Sequence, residues 1–74
     1  MTLDLLAPGQ VGTVATVNGS GSTYQRLLEM GLVKDTRVEV VRLAPMGDPM
    51  EVSLHGYHLS LRKNEAAMVE IIHG

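Results

Sequence analysis

The sequence predicts a mainly β domain, a small closed or half-closed barrel of about five short strands with one short α-helix. Three observations carry that expectation. Short runs rich in Val, Leu and Ile recur between turn signals. One of them, MEVSLHGYHLSLR, alternates on both sides of His55-Gly56 in a register that brings its apolar residues to one face. A single stretch, STYQRLLEM, has the i, i+3, i+4 spacing of an amphipathic helix. A chain of 74 residues is expected to form one domain, residues 1–74. At this size about 60% of the unfolded surface can be buried, so the core is thin. Barrel closure would also remove strand edges that the chain has little charge to protect.

Each element has its own signal. MTLDLLAPG brings Leu3, Leu5 and Leu6 before the Pro8-Gly9 turn and is expected to be one helical turn or an extended lead-in that tucks leucines against the barrel. QVGTVATV predicts a strand over Val11–Val17, in which Gly12 marks a bend or a close backbone approach. NGSGS, Asn18–Ser22, is a loop by composition. Ser22 stands at a helix-capping position with Gln25 at capping-box spacing, and Tyr24, Leu27 and Leu28 share one helical face. Gly31 can take the left-handed conformation that ends helices. So short a helix is not stable alone and must pack on something. TRVEVVRL, Thr36–Leu43, starts with Val38 and Val40 inward and Arg37 and Glu39 outward; Val41 and Leu43 then break the phase, which implies a bulge or a strand covered on both faces. Pro45 and Pro49 forbid a continuous central strand through RLAPMGDPMEV. A two-residue His55-Gly56 turn then pairs Leu54 with Tyr57, setting Met50, Val52 and Leu54 beside Tyr57, Leu59 and Leu61. RKNEAAM is a brief, helix-tolerant turn, and Met68–Ile72 is the last strand.

Composition narrows the function classes. The chain has no Cys, which excludes disulfides and thiolate metal sites. With two Tyr, no Phe and no Trp, the core must be filled by Val, Leu, Ile, Ala and Met. A net charge of −2, with basic and acidic residues interspersed, argues against a nucleic-acid partner, as does the shortage of stacking aromatics. No apolar stretch approaches the ~20 residues that span a bilayer, and the N-terminus lacks the pattern of a secretory signal, so a cytoplasmic protein without membrane insertion is expected. His55 falls in the hairpin turn, His58 on the second strand facing away from the core, and His73 near the end; no HExxH or paired Cys/His pattern is present. Met30, Met50 and Met68 read as fillers of an aromatic-poor core. Met46, between Pro45 and Gly47, has no evident core position and suits an adaptable contact surface. The acids are scattered: Glu29 can pair with Arg26 along the helix, and Glu39 alternates with Arg37 on an outer face. Without a Ser/His/Asp arrangement or a phosphate loop, the chain is expected to be no enzyme and to need no cofactor.

The strings RLLEMGL (Arg26–Leu32), RLAPMGDPMEV (Arg42–Val52) and LSLRKNEA (Leu59–Ala66), in this order and at short spacings, resemble the FeoA family of bacterial ferrous iron transport. The resemblance extends from about Leu5 to Ile71. It implies an SH3-like barrel and a non-catalytic partner of the FeoB membrane transporter, a ferrous iron permease with a cytoplasmic G-protein domain. Where the family commonly has GLxPGT, this chain has GLVKDT; an Asp in that turn can still bond its own backbone, so the turn is expected to survive. The family supplies no set of metal ligands to carry over. Docking on a FeoB-type transporter would use an apolar patch framed by charges. The expected contact residues are Arg26, Leu27 and Leu28 on the helix, Met46 as an anchor in the loop, and Asp48 as a rim charge. Of Leu27 and Leu28, one should seal the barrel and the other lie toward its margin. The alternative is a small transition-metal-binding or metal-sensing domain that uses His55, His58 or Met side chains directly. Accessible methionines on a small barrel also leave self-association open.

Overall fold

The computed structural model describes residues 1–73. Its strands are β1 (Val11–Val17), β2 (Arg37–Leu43), β3 (Met50–Leu54), β4 (Tyr57–Leu61) and β5 (Val69–His73). They form one antiparallel sheet in the order β4-β3-β2-β1-β5. A 3-10 turn (Leu3–Leu5) precedes the sheet, α1 (Gly21–Glu29) joins β1 to β2, and the single-turn α2 (Lys63–Ala66) joins β4 to β5. The expected mainly β fold is therefore observed. The RKNEAAM segment forms a helical turn of its own.

Alternation decides which residues enter the core. Met50, Val52 and Leu54 of β3 are buried, as are Val38 and Val40 of β2. Leu27 and Leu32 enter from α1 and the turn that follows it, so every buried core side chain is aliphatic or a thioether. Neighbouring strands stay in phase by two irregularities. One lies between Val40 and Arg42 in the β2–β3 register and leaves Val41 on the surface, so of the two readings of the broken phase, a bulge or a strand covered on both faces, the structure has the bulge. The other lies between Val14 and Thr16 in the β1–β5 register and was not foreseen. Gly12 is a close approach, since a Cβ there would lie 2.8 Å from Ile71 Cδ1.

The lead-in tucks only two of its three leucines. Leu3 and Leu6 are buried, whereas Leu5 points outward, because a 3-10 turn cannot bring all three to one side. Just before it, Thr2 bridges to Glu70, and the Ile71 N–H bonds to the Met1 carbonyl at 2.8 Å. The outer edge of β5 is thereby covered.

The start of α1 also departs from expectation. Ser20, not Ser22, stands at the N-cap, and no side chain caps the helix. Just before it, the Asn18 N–H bonds to the Met68 carbonyl at 2.7 Å and extends the β1–β5 pairing by one residue. The end of α1 follows the sequence. Gly31 adopts φ +100°, its N–H bonds to the Leu28 carbonyl at 3.0 Å, and the Leu32 N–H bonds to the Leu27 carbonyl at 3.2 Å, the paired bonds of a Schellman motif.

The β3–β4 hairpin has the expected register, Leu54 opposite Tyr57 and Met50 opposite Leu61. His55 and Gly56 both have positive φ, as a type I′ turn requires. This turn sits against the end of α1: a Cβ on Gly31 would lie 2.8 Å from the Tyr57 hydroxyl and 3.1 Å from His55 Cδ2. Gly31→Ala should therefore cost about 2–3 kcal/mol, from left-handed strain and a displaced hairpin tip. Gly47→Ala, at φ +88° with open space around it, should cost only the backbone part. Urea midpoints of the two variants check this; equal losses would mean that the hairpin contact at Gly31 is slack.

Candidate docking surface

α1 presents the two leucines differently. Leu27 is fully buried and Leu28 is half-buried, packed on the core margin with Tyr24 and Met30. The expected split is observed: Leu27 is enclosed in the core, while Leu28 keeps exposed surface at its margin. Arg26 is exposed but does not pair with Glu29 as the helical spacing suggested. It forms an ion pair with Glu65 of α2 and lies 3.9 Å from the Met30 sulfur. Glu65 is the better partner because its carboxylate is already fixed by the Arg62 N–H at 2.9 Å and is largely enclosed.

The loop between β2 and β3 closes on itself through two backbone bonds, Ala44 N–H to the Pro49 carbonyl (3.0 Å) and Gly47 N–H to the Ala44 carbonyl (2.7 Å). The Asp48-Pro49 peptide bond is cis. Met46 stands at the tip with 92% of its surface exposed, so the loop spends nothing of this side chain on packing. Asp48 has a definite structural task. Its Oδ1 accepts the Lys63 N–H at 2.9 Å and satisfies an otherwise free donor at the start of α2. Arg26 and Asp48 therefore both attach to α2, one through Glu65 and one through Lys63. The helix patch and the loop are joined by α2, which the sequence pattern marks only as a brief helix-tolerant turn. Glu65, three residues after Arg62 at the close of β4, carried a capping signal that could have shown it.

On the outer face, Arg42 Nε bonds to Glu51 Oε1 at 2.6 Å, and His58 Nδ1 lies 2.9 Å from Glu51 Oε2. The hydrogen bond from Arg42 holds the Glu51 carboxyl below its ordinary value of 4.5, against a smaller opposing effect of desolvation and with help from the Arg42 charge and His58. Beside this group lies a cleft of about 190 Å³ lined by Arg42, Ala44, Pro49, Glu51 and Ser60. It is too small for a drug-sized ligand. His58 faces outward as expected and His55 occupies the turn; the His73 side chain lies outside the described residues. Among the described residues no group of three His, Cys, Asp or Glu is placed to hold a metal ion. Among them, too, no helix is long and apolar enough to cross a membrane.

The chain is similar to several known proteins. The FeoA domain family model matches residues 1–73. A Porphyromonas gingivalis protein described as an Fe(2+) transport protein A/Fe(2+) transporter FeoB fusion is 37% identical over 71 residues, which cover 96% of this chain but only 8% of that relative. The solution structure of iron(II) transport protein A from Clostridium thermocellum superposes with a TM-score of 0.93 at 33% identity, covering 99% of this chain and 45% of that one. The crystal structure of Stenotrophomonas maltophilia FeoA complexed with zinc, described as a prokaryotic SH3 domain protein, superposes with a TM-score of 0.86 at 30% identity and covers 97% of this chain and 89% of that one.

Two outcomes follow for stability. Asp48→Ala should cost about 1 kcal/mol by stripping the cap from α2, and Asp48→Asn, which keeps an acceptor oxygen, should cost less; urea denaturation distinguishes them. Because the folded-state pKa of Glu51 is lowered, its contribution is present in full above the ordinary value of 4.5 and is lost as pH falls through the lowered one. Acid titration of the urea midpoint should therefore fall less steeply for Glu51→Gln than for the parent chain below that pH.

Proposed function

The chain belongs to the FeoA family, and on that premise we propose that it is a non-catalytic, cytoplasmic accessory of bacterial ferrous iron uptake that docks on a FeoB-type transporter and supports or regulates its activity. The observation that carries this reading is the Porphyromonas gingivalis relative, in which a domain like this one and a transporter share one chain. Fusion of two modules raises the effective concentration of each for the other and is useful when they act together.

The docking surface in this proposal is Leu28 on α1 and Met46 on the β2–β3 loop, rimmed by Arg26 and Asp48, with α2 holding the two parts in fixed relation. An apolar contact framed by charges fits the general anatomy of interfaces. Leu27 supports the surface from below.

Binding of the purified chain to the cytoplasmic portion of a FeoB-type transporter tests the assignment. Met46→Asp and Leu28→Gln should each fold and lose affinity by about tenfold or more, the scale of an interface hot spot. Leu27→Gln should instead lower the unfolding midpoint. If both surface variants bind and support ferrous iron uptake as well as the parent, the assigned patch is wrong.

A second reading, direct metal binding, is favoured by the approach of His58 to Glu51 and by the zinc complex of the Stenotrophomonas maltophilia relative. Zinc titration calorimetry decides it. A micromolar site abolished by His58→Ala would support this reading, and heats unchanged by that substitution would remove it.

A further inference from the structure

The two edges of the sheet are treated differently. The β5 edge is covered by the chain itself, through the Thr2–Glu70 bridge and the bond from Ile71 N–H to the Met1 carbonyl. β4 is the other terminal strand, and among the described residues no backbone bond from outside the sheet reaches it. Folded proteins ordinarily blunt such an edge with Lys, Pro, a bulge or a covering segment. β4 reads Tyr-His-Leu-Ser-Leu, without proline or formal charge, and its pairing with β3 runs from Leu54–Tyr57 to Met50–Leu61 without a bulge.

The hairpin fixes which backbone groups are free. In a two-residue turn the flanking pair, Leu54 and Tyr57, is hydrogen-bonded, and bonded pairs alternate with non-bonded ones. Tyr57, Leu59 and Leu61 thus direct their N–H and C=O groups to β3, while His58 and Ser60 direct theirs outward. Both outward residues are exposed, and Leu59 between them is only half-buried.

We propose that β4 is the surface through which two copies of this chain associate, pairing antiparallel about a two-fold axis at Leu59. In that register His58 exchanges both backbone bonds with the partner's Ser60, and Ser60 does so with the partner's His58. Leu59 meets the partner's Leu59 on the side that faces the core, and Tyr57 lies opposite the partner's Leu61. No like charges oppose one another. The partner's His58 comes beside Ser60, next to Glu51, a carboxylate one strand away and on the same outer face. The pairing is thus self-complementary in hydrogen bonding and apolar contact. A short edge buries little area, so the association is weak and reversible. This inference stands on the edge alone and does not depend on the transporter reading.

The test combines sedimentation velocity with residue-resolved amide exchange, from about 10 µM to about 1 mM chain. The expected result is a monomer–dimer equilibrium in which the His58 and Ser60 amides slow by about tenfold at the high end, while the Leu59 amide is protected throughout. Ser60→Pro removes only an outward donor, and Ser60→Lys adds the edge charge that β4 lacks; both should remain folded by their thermal midpoints and be monomeric. A single monomeric species with freely exchanging His58 and Ser60 amides at the highest concentration would overturn the proposal. So would a dimer that survives in both variants, or protection of these amides that arises only on adding the cytoplasmic portion of a FeoB-type transporter.

Discussion

Everything in this fold meets at the last turn of α1. A helix leaves its final carbonyls without intrahelical donors, and a helix of this length has little else to hold it in place. Here several carbonyls at and just beyond the helix end are taken up by the following turn and by two strands. The Leu27 and Leu28 carbonyls are bonded by the turn at Leu32 and Gly31, the Met30 carbonyl accepts the Tyr57 hydroxyl, and the Gly31 carbonyl accepts the Thr36 hydroxyl at 3.0 Å. Thr36, the one buried polar residue among the described residues, leads into β2, and Tyr57 begins β4. The helix end therefore fixes the positions of two strands that are not adjacent in the sheet. Glycine suits position 31 because its backbone is left-handed and a Cβ would press on the Tyr57 hydroxyl and the His55 ring at the hairpin tip.

α2 plays the matching part on the other side of the chain. It is a single turn, yet it gathers an ion pair from α1, a carboxylate cap from the β2–β3 loop, and a bond from the Lys63 ammonium to the Asp4 carbonyl of the N-terminal turn. A domain with no disulfide and no aromatic core gains rigidity from such cross-links between segments that would otherwise drift. The same cross-links give the proposed docking surface a definite shape, because Leu28 and Met46 are carried by segments tied to one small helix.

Much of the barrel was legible because its signals are local. The alternation in β3 and β4, the His-Gly turn and the broken phase at Val41 each involve residues a few positions apart, and each corresponds to the observed register. Most of the features that escaped are tertiary. Arg26 has Glu29 within helical reach, but its partner is Glu65, which lies on another element. Asp48 looked like a free rim charge because the donor it satisfies is fifteen residues further along. The helix begins two residues before the position that the serine spacing indicates, and no serine hydroxyl caps it. Periodicity places Leu27 and Leu28 on one face but does not say which is enclosed; on a helix this short, burial depends on how the helix is seated.

The scarcity of aromatics has an optical consequence. With no tryptophan in the chain, near-ultraviolet absorbance and emission come from Tyr24 and Tyr57 alone. Tyr24 rests partly buried on the core, whereas Tyr57 is 42% exposed with its hydroxyl bonded to the Met30 carbonyl. One chromophore therefore reports on packing under α1, and the other on whether the hairpin tip remains seated on the helix. The native chain is its own label for the junction on which its architecture rests.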